Sequence, residues 1–155
     1  MDLSSVIEKR TSVRKFKNED VPVEILKKIA EAGSKAPSIN NSQPWKYVAI
    51  KNQELLSKMA NVVDSKVKSL FKKDLDSSSE VIKKKVEWFS TFFVDVPAVI
   101  AIVSKPYKAE ADEILTESIS HEKLNELRNY PNLQTIGAAV ENMLLTTVDL
   151  GYGAC

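Results

Sequence analysis

The most informative stretch of this sequence is Ala36-Pro37-Ser38-Ile39-Asn40-Asn41-Ser42-Gln43-Pro44-Trp45. Two prolines bracket a cluster of Ser and Asn residues, whose side chains compete for backbone hydrogen bonds, so the composition predicts a loop. Its amides and hydroxyls can both donate and accept hydrogen bonds, as the lining of a site for a planar heterocycle requires. Taken alone, these residues are more typical of a polar turn between a helix and a strand, and the neighbouring segments decide between the two interpretations.

Regular structure is predicted on both sides of this loop. Before it, Pro22 is well placed to open a helix whose apolar residues continue at helical spacing to Ala36, where Pro37 ends it. After it, residues 45–50 have the aromatic and β-branched content of a strand. A further helix is predicted to start at an Asn52 cap.

A second cluster of binding groups lies near the N-terminus. The pattern of residues 2–10 predicts a short helix, which leads into Arg10-Thr11-Ser12-Val13-Arg14. A guanidinium presents a planar fork of donors that grips a phosphate through two hydrogen bonds, which lysine cannot copy. Arg10, Ser12 and Arg14 are therefore candidate phosphate ligands, although R-x-S-x-R alone is more typical of a solvated basic turn.

The middle of the chain alternates charged and apolar segments. Residues 72–79 are predicted to form an exposed connection, because they are charged and rich in serine. Residues 80–93 are predicted to form a helix in which Trp88 and the neighbouring phenylalanines are core residues. The unbroken apolar run at residues 96–103 predicts a strand that is buried on both faces.

The last third of the chain is predicted to be helical. A short helix is expected at residues 122–128, with His121 as a surface residue beside it. Residues 132–150 have the strongest helical pattern of the chain, and Gly151 is expected to end this helix. Its predicted apolar face comprises Ile136, Val140, Met143, Leu144 and Val148.

Composition excludes several classes of function. A length of 155 residues suits one domain over residues 1–155, and a net charge of +1 is too small to attract nucleic acid or an anionic membrane. The chain has neither the apolar core of a secretory signal nor the run of about 20 apolar residues that crosses a bilayer. One cysteine, Cys155, and one histidine, His121, argue against a disulfide, a zinc site and a Ser-His-Asp triad. We therefore predict a reduced, cytoplasmic protein that, if an enzyme, takes its chemistry from a cofactor.

With these motifs in order, the sequence resembles the nitroreductase family of FMN-dependent oxidoreductases. Residues 7–16 are similar to the family's opening R-x-S-x-R phosphate motif, and residues 36–45 to its A-P-S-x-x-N-x-Q-P-W loop. Residues 136–153 are similar to the long central helix and the Gly-x-Gly turn that follows it. Matches along the whole chain in the family's order are far more specific than any single motif.

The resemblance implies an α+β fold, a nitroreductase-like sandwich in which helices flank a central, mostly antiparallel sheet. It also implies an intimate homodimer with FMN at the subunit interface. Catalysis would be ping-pong, with hydride passing from NADH or NADPH through the flavin to a nitroaromatic, a quinone or a similar planar acceptor. The flavin carries this reaction, so no catalytic side chain is assigned. The implied cofactor-binding residues are Arg10, Ser12 and Arg14 for the phosphate and ribityl region, and Pro37, Ser38, Asn41 and Gln43 along the flavin.

Family members normally continue beyond the turn at residues 151–153 with a strand, a loop that offers its backbone to flavin N5, and a C-terminal segment. Since these parts would follow Cys155, we expect weaker flavin binding and a sheet edge that needs cover from another chain. Two alternatives stay open. The first is a non-catalytic flavin-binding or regulatory module, or an inactive truncated member of the family. The second is a relative with an inserted lid that dehalogenates or dehydrogenates its substrate. Residues 61–80 are not long enough to require such a lid.

Overall fold

Six α-helices and two β-strands form the regular structure of residues 1–72, 74–115 and 119–155, which are the residues that the computed structural model describes. The helices are α1 (Leu3–Lys9), α2 (Val23–Gly33), α3 (Gln53–Ser69), α4 (Ser77–Thr91), α5 (His121–Leu127) and α6 (Pro131–Asp149). The strands are β1 (Trp45–Ile50) and β2 (Val99–Ser104), and short 3-10 turns lie at Ile39–Asn41, Phe92–Asp95 and Glu110–Ile114. The predicted α+β fold is confirmed. Among the described residues, no helix has the length and apolar character needed to cross a bilayer.

Capping side chains set the helix starts. The Asp2 carboxylate accepts a hydrogen bond from the Ser5 amide at 3.1 Å, and the Asn52 side chain accepts one from the Leu55 amide at 2.9 Å. Both bonds satisfy backbone amides that have no partner inside their helix. α2 begins directly after Pro22, as predicted.

α4 begins earlier than its apolar pattern indicates. The Asp76 carboxylate accepts a hydrogen bond from the Ser79 amide at 2.7 Å, so the helix starts at Ser77 rather than at residue 80. The predicted connection over residues 72–79 is therefore shorter than expected, and its Lys73 lies outside the described residues. Residues 116–118, in the charged stretch before α5, also lie outside them.

The contacts divide the chain into two compact units. The first comprises Met1–Val13, Pro22–Val48 and Ile100–Cys155, and the second comprises Arg14–Val21 and Ala49–Val99. In the first unit α6 is the central element, because it packs along α2 and also contacts α1 and the 3-10 turn that follows Ser38. In the second unit α3 packs against α4 and against the 3-10 turn that follows Thr91.

α6 buries every fourth residue, and of the predicted apolar face only Met143 belongs to this buried line. The buried residues of α6 are Pro131, Thr135, Ala139, Met143 and Thr147, and its half-buried residues include Ile136, Val140, Leu144 and Val148. α2 comes so close that a Cβ atom on Gly33 would lie 2.8 Å from Met143 Cγ. Ala139 and two threonines therefore share the buried line with Met143, and the Thr147 hydroxyl donates to the Met143 carbonyl of its own helix at 2.7 Å.

α6 ends at a left-handed glycine, as predicted. Gly151 has a φ of +83°, which lets the Tyr152 amide donate to the Thr147 carbonyl at 2.9 Å. The chain then returns to the segment after α1, where the Val13 amide donates to the Ala154 carbonyl at 2.9 Å in an isolated parallel bridge.

β1 and β2 pair as a two-stranded antiparallel sheet within the described residues. The Lys105 amide donates to the Pro44 carbonyl at 2.8 Å, so the end of β2 lies beside the start of β1. Residues 99–102 are half-buried and Val103 is exposed, so the prediction of a strand buried on both faces is wrong. With one hydrogen-bonded neighbour in the described chain, β2 is an edge strand, and its side chains keep part of their exposure.

No residue of α4, all of which the structure describes, is buried. The prediction that Trp88 and the neighbouring phenylalanines are core residues is wrong for Trp88 and Phe89, which are 48% and 52% exposed. Their rings pack edge-to-face with centroids 4.9 Å apart, and so cover each other only in part. We refer to the exposed apolar residues of this helix as the α4 patch, which comprises Val81, Ile82, Val86, Trp88 and Phe89.

Candidate functional site

The loop between α2 and β1 has a costly backbone conformation. Asn40, Asn41 and Gln43 have φ angles of 48°, 51° and 44°, in the left-handed region that non-glycine residues seldom adopt. Asparagine tolerates this region better than most residues, because its short polar side chain can bond locally. Each such residue still costs about 1–3 kcal/mol, so surrounding contacts must hold the loop in this shape.

Hydrogen bonds from elsewhere in the first unit supply these contacts. Thr135 on α6 accepts a hydrogen bond from the Ile39 amide at 3.4 Å through its hydroxyl oxygen. The Tyr107 hydroxyl accepts one from Nδ2 of Asn40 at 3.0 Å. The roles of Thr135, Tyr107 and Asn40 were not predicted from the sequence, because the tertiary fold decides which helix turn and which segment face the loop. The one feature of the sequence that could have indicated this contact is Thr135 itself, a polar residue four positions before Ala139 in a helical pattern.

Ser38, Asn41 and Gln43 keep hydrogen-bonding groups available. Ser38 Oγ accepts from the Gln43 amide at 3.1 Å, and Asn41 Oδ1 accepts from Gln43 Nε2 at 3.4 Å. The Ser38 hydroxyl proton and the Asn41 NH₂ group then remain as donors without a partner among the described residues. Asn41, Gln43 and Pro37 are exposed and Ser38 is half-buried. The structure thus brings four of the predicted site residues together on one accessible loop.

Both ends of the loop are anchored in an apolar cluster. Ala36 and Trp45 are buried together with Ala139 of α6, and Tyr47 packs against them. Pro44 is also fully buried. Burying a large apolar side chain contributes about 1.5–3 kcal/mol, so the cluster offsets the strain of the polar loop that it anchors.

Arg10 and Ser12 lie in the same unit, at the end of α1. Arg10 is half-buried, whereas Ser12 is exposed and bridges to Ala154. The N-terminal amine of Met1, just before α1, pairs with Asp149 of α6 at 2.6 Å. Within the described chain, no carboxylate lies within 4.0 Å of the Arg10 guanidinium, so its positive charge is available to an anion.

Arg14 belongs to the second unit. Its guanidinium carbon lies 5.3 Å from the centroid of the Phe89 ring, in a cation–π contact with the α4 patch. The side chain is exposed, and no carboxylate in the described ranges lies within 4.0 Å of it. Because an aromatic face leaves the N–H groups of a guanidinium uncommitted, Arg14 can still donate hydrogen bonds.

The third arginine, in contrast, is neutralised inside the first unit. Arg128 Nη2 lies 2.5 Å from Oδ1 of Asp112, whose side chain is 4% exposed. Oδ2 of Asp112 accepts from the Ala109 amide at 3.1 Å and lies 3.6 Å from His121 Nδ1. The Arg128 guanidinium beside Asp112 lowers the pKa of that carboxyl against the opposing effect of burial, and the carboxylate in turn raises the pKa of Arg128. This pair stabilises the fold and is not a candidate ligand site.

The second unit contains a cleft of about 470 Å³ between the end of α3 and the start of α4. It is lined by Leu70, Phe71, Lys72, Asp74, Leu75, Asp76 and Ser79. None of the predicted cofactor-binding residues lines this cleft.

Comparison with known proteins identifies the family. The family model described as the nitroreductase family matches residues 7–155, nearly the whole chain. The chain therefore belongs to the nitroreductase family, and the resemblance noted in the sequence is confirmed.

Individual relatives share this fold. A BluB-like flavoprotein from Clostridium difficile 630 is 34% identical with a TM-score of 0.83, and the match covers 100% of this chain and 73% of that one. A nitroreductase with bound FMN from Bacteroides fragilis is 20% identical with a TM-score of 0.67, over 97% of this chain and 66% of that one. Iodotyrosine deiodinase of Hydra vulgaris is 28% identical over 105 residues, which is 66% of this chain and 39% of that protein. The chain thus spans less than half the length of this curated relative.

Proposed function

We propose that this chain binds FMN and acts as an oxidoreductase that passes a hydride from NADH or NADPH to a flat acceptor such as a nitroaromatic or a quinone. The observation that carries the proposal is the loop over residues 36–45, whose exposed amide and hydroxyl donors are held in a costly left-handed conformation. Strain of this kind is more typical of a binding site than of a connecting turn. Family membership and the FMN in the Bacteroides fragilis structure support FMN as the ligand.

Arg10, Ser12 and Arg14 are proposed to hold the phosphate and ribityl region of FMN. A half-buried guanidinium without a carboxylate partner in the described chain forms strong charge-assisted hydrogen bonds with a phosphate. Arg10 meets this description, whereas the charge of Arg128 is already neutralised by Asp112. Arg10 is therefore expected to contribute most to phosphate binding.

Pro37, Ser38, Asn41 and Gln43 are proposed to line the flavin ring. The hydroxyl proton of Ser38 and the NH₂ group of Asn41 are donors that would meet the carbonyl oxygens of the ring, where negative charge develops on reduction. FMN, when bound, supplies the hydride-transfer chemistry. The contribution of this chain is to bind the cofactor, orient it and stabilise the charge that reduction creates.

The active form is proposed to be a homodimer. Large apolar side chains are exposed on α1, at Leu3 and Ile7, as well as in the α4 patch of the second unit. Monomeric soluble proteins rarely expose contiguous apolar patches of more than a few hundred Å², so a second copy of the chain is the proposed cover. The proposed compartment is the cytoplasm, where reduced nicotinamide nucleotides are available as donors.

Reductive dehalogenation is the second candidate, because the chain is similar to iodotyrosine deiodinase over two thirds of its length. In that reaction a hydride equivalent replaces iodine on an aromatic ring, and the iodine leaves as iodide. The two candidate functions share the flavin site and differ in the acceptor, so comparing turnover with different acceptors distinguishes them.

The first experiment measures FMN binding by fluorescence quenching, using the wild type and the Arg10→Ala variant. Loss of a charge-assisted contact to phosphate costs about 1.5–3 kcal/mol, so the dissociation constant should rise about 10-fold to 100-fold. The control is Lys9→Ala, which removes a positive charge one residue away and should leave the affinity within about twofold. Equal affinities for the wild type and Arg10→Ala would overturn the phosphate assignment.

The second experiment follows NADH and NADPH oxidation by the FMN-loaded chain. A nitroaromatic, a quinone and an iodinated phenol are supplied in turn, and iodide release is measured for the last. Turnover with the nitroaromatic or quinone supports the first candidate, and iodide release without such turnover supports the second. Bound FMN without oxidation of either nucleotide would contradict both and favour a non-catalytic flavin-binding module.

A further inference from the structure

The segment that follows β2 fastens the candidate flavin loop at two places. The Lys105 amide donates to the carbonyl of Pro44 at the end of the loop, at 2.8 Å. Two residues later, the Tyr107 hydroxyl accepts a hydrogen bond from Nδ2 of Asn40 in the middle of the loop, at 3.0 Å. Tyr107 is 5% exposed, so its ring is fixed by packing and its hydroxyl is a stationary acceptor.

Asn40 is the position at which such an acceptor has the most effect. It lies inside the 3-10 turn with φ 48° and ψ 31°, where the chain leaves right-handed helical geometry. Asn41 follows it with φ 51°, so the orientation of the Asn41 amide depends on the conformation of Asn40. Holding the Asn40 side chain therefore fixes the direction in which the loop presents its donors.

We propose that Tyr107 is a positioning residue for the flavin, an inference that rests on the proposed function. It acts through Asn40, whose left-handed conformation it stabilises, and so pre-organises Ser38, Asn41 and Gln43 for the ring. A loop that is already in its binding conformation loses less entropy when the ligand binds, and the ligand is held more tightly.

The bond to Tyr107 is expected to affect binding more than stability. Asn40 is exposed, so water can replace the Tyr107 hydroxyl at Nδ2 when that hydroxyl is removed. The fold then loses little, because the apolar ring of residue 107 still fills its buried position. The loop, however, gains access to other conformations, and FMN must select the competent one.

The test compares Tyr107→Phe with the wild type by titrating FMN into the flavin-free chain. We expect the dissociation constant to rise about 3-fold to 10-fold, in line with the loss of one hydrogen bond. The absorption bands of the bound flavin should also shift, because its hydrogen-bond donors are less well placed. The matched control is Tyr130→Phe, which removes the hydroxyl of an exposed tyrosine in the same unit and should change neither quantity.

A double-mutant cycle tests whether Tyr107 acts through Asn40. Glycine adopts positive φ without strain, so Asn40→Gly removes the side-chain donor and leaves the backbone conformation accessible. This variant alone should bind FMN more weakly than the wild type, because a glycine without the bond to Tyr107 also populates other conformations. Adding Tyr107→Phe to it should weaken binding no further, because the acceptor has lost its donor.

The outcomes separate this inference from the proposed function. FMN binding by the wild type with unchanged affinity in Tyr107→Phe would overturn the positioning role and leave the proposed function intact. Additive effects in the cycle would overturn action through Asn40. If Tyr107→Phe fails to fold, the Asn40→Gly variant provides the test. An FMN affinity of Asn40→Gly equal to that of the wild type would overturn the positioning role of Tyr107 as well. A wild type that binds no FMN would overturn the proposed function and this inference with it.

Discussion

At the scale of single residues, the charges of this chain differ in how far they are enclosed. Several ion pairs of the described residues, such as Lys58 with Glu54 at 2.6 Å, join two exposed side chains and are screened by water. Asp112 and Arg128 differ, because the carboxylate is nearly inaccessible and receives a backbone hydrogen bond as well. Removing one partner of such a pair leaves the other enclosed without its counter-charge.

We expect this pair to make the stability of the fold depend on pH. The pKa of Asp112 lies below its ordinary value of 3.8, because the Arg128 guanidinium is paired with its carboxylate. A carboxyl group whose pKa is lowered by folding contributes stability above its unfolded pKa, and that stability is lost as the pH falls through the folded pKa. Asp112→Asn should therefore unfold at a lower temperature than the wild type at neutral pH. The difference should narrow as the pH falls below 3.8, in melts followed by circular dichroism.

The control for Asp112→Asn is Glu113→Gln. Glu113 is the neighbouring carboxylate, and it pairs with Lys108 at 3.3 Å on the surface. This variant should follow the wild-type curve at every pH, because an exposed pair contributes little. A difference between Asp112→Asn and the wild type that stays constant down to the acid limit would contradict the role given to ionised Asp112.

At the scale of elements, α6 illustrates what periodicity can predict. The pattern predicted its bounds within one residue, because the apolar spacing and Gly151 at the end agree. It placed Met143 correctly on the buried face but missed Thr135, Ala139 and Thr147, because a hydrophobic pattern favours large aliphatic side chains as the contact face. Where two helices approach closely, small side chains are buried instead, and how closely α2 approaches is a property of the fold.

The candidate site could likewise be predicted only in part from the sequence. Ser38, Asn41 and Gln43 could be predicted as candidates, since their hydrogen-bonding side chains lie together in one short loop. Tyr107 and Thr135 were not, because they lie 67 and 96 positions from the loop residues that they contact. The contact between Arg14 and Phe89 could not be predicted either, because the two residues lie far apart in the sequence.

The packing of α2 on α6 gives a matched pair of glycine variants. In Gly33→Ala the new methyl group would lie 2.8 Å from both Met143 Cγ and the Tyr47 hydroxyl, so the helices must separate or Met143 must move. We expect a loss of about 1–3 kcal/mol in the free energy of unfolding. In Gly137→Ala the methyl group meets no atom within 4 Å, and alanine should add about 0.5–1 kcal/mol through helix propensity. Denaturant unfolding measures both, and equal stabilities would contradict the close approach.

At the scale of the whole molecule, the described chain leaves large apolar side chains exposed, above all in the α4 patch. The pattern of residues 80–93 correctly indicates a helix with an apolar face, because that face is a property of the sequence. It does not indicate what covers the face, which depends on packing partners far along the chain or on another chain. A second copy would resolve this mismatch, since the α4 patch is apolar, aromatic and continuous along one helix.

The two tryptophans allow this assembly to be tested directly, because Trp45 is 8% exposed and Trp88 is 48% exposed. In a Trp45→Phe variant, emission reports on Trp88 alone, and in a Trp88→Phe variant it reports on Trp45 alone. If a second copy covers the α4 patch, raising the protein concentration should shift Trp88 emission to shorter wavelengths and reduce its quenching by acrylamide. Trp45 should show neither change, since it is already buried. A dimeric mass from light scattering with unchanged Trp88 emission would place the interface elsewhere, and a monomeric mass at every concentration would overturn the homodimer.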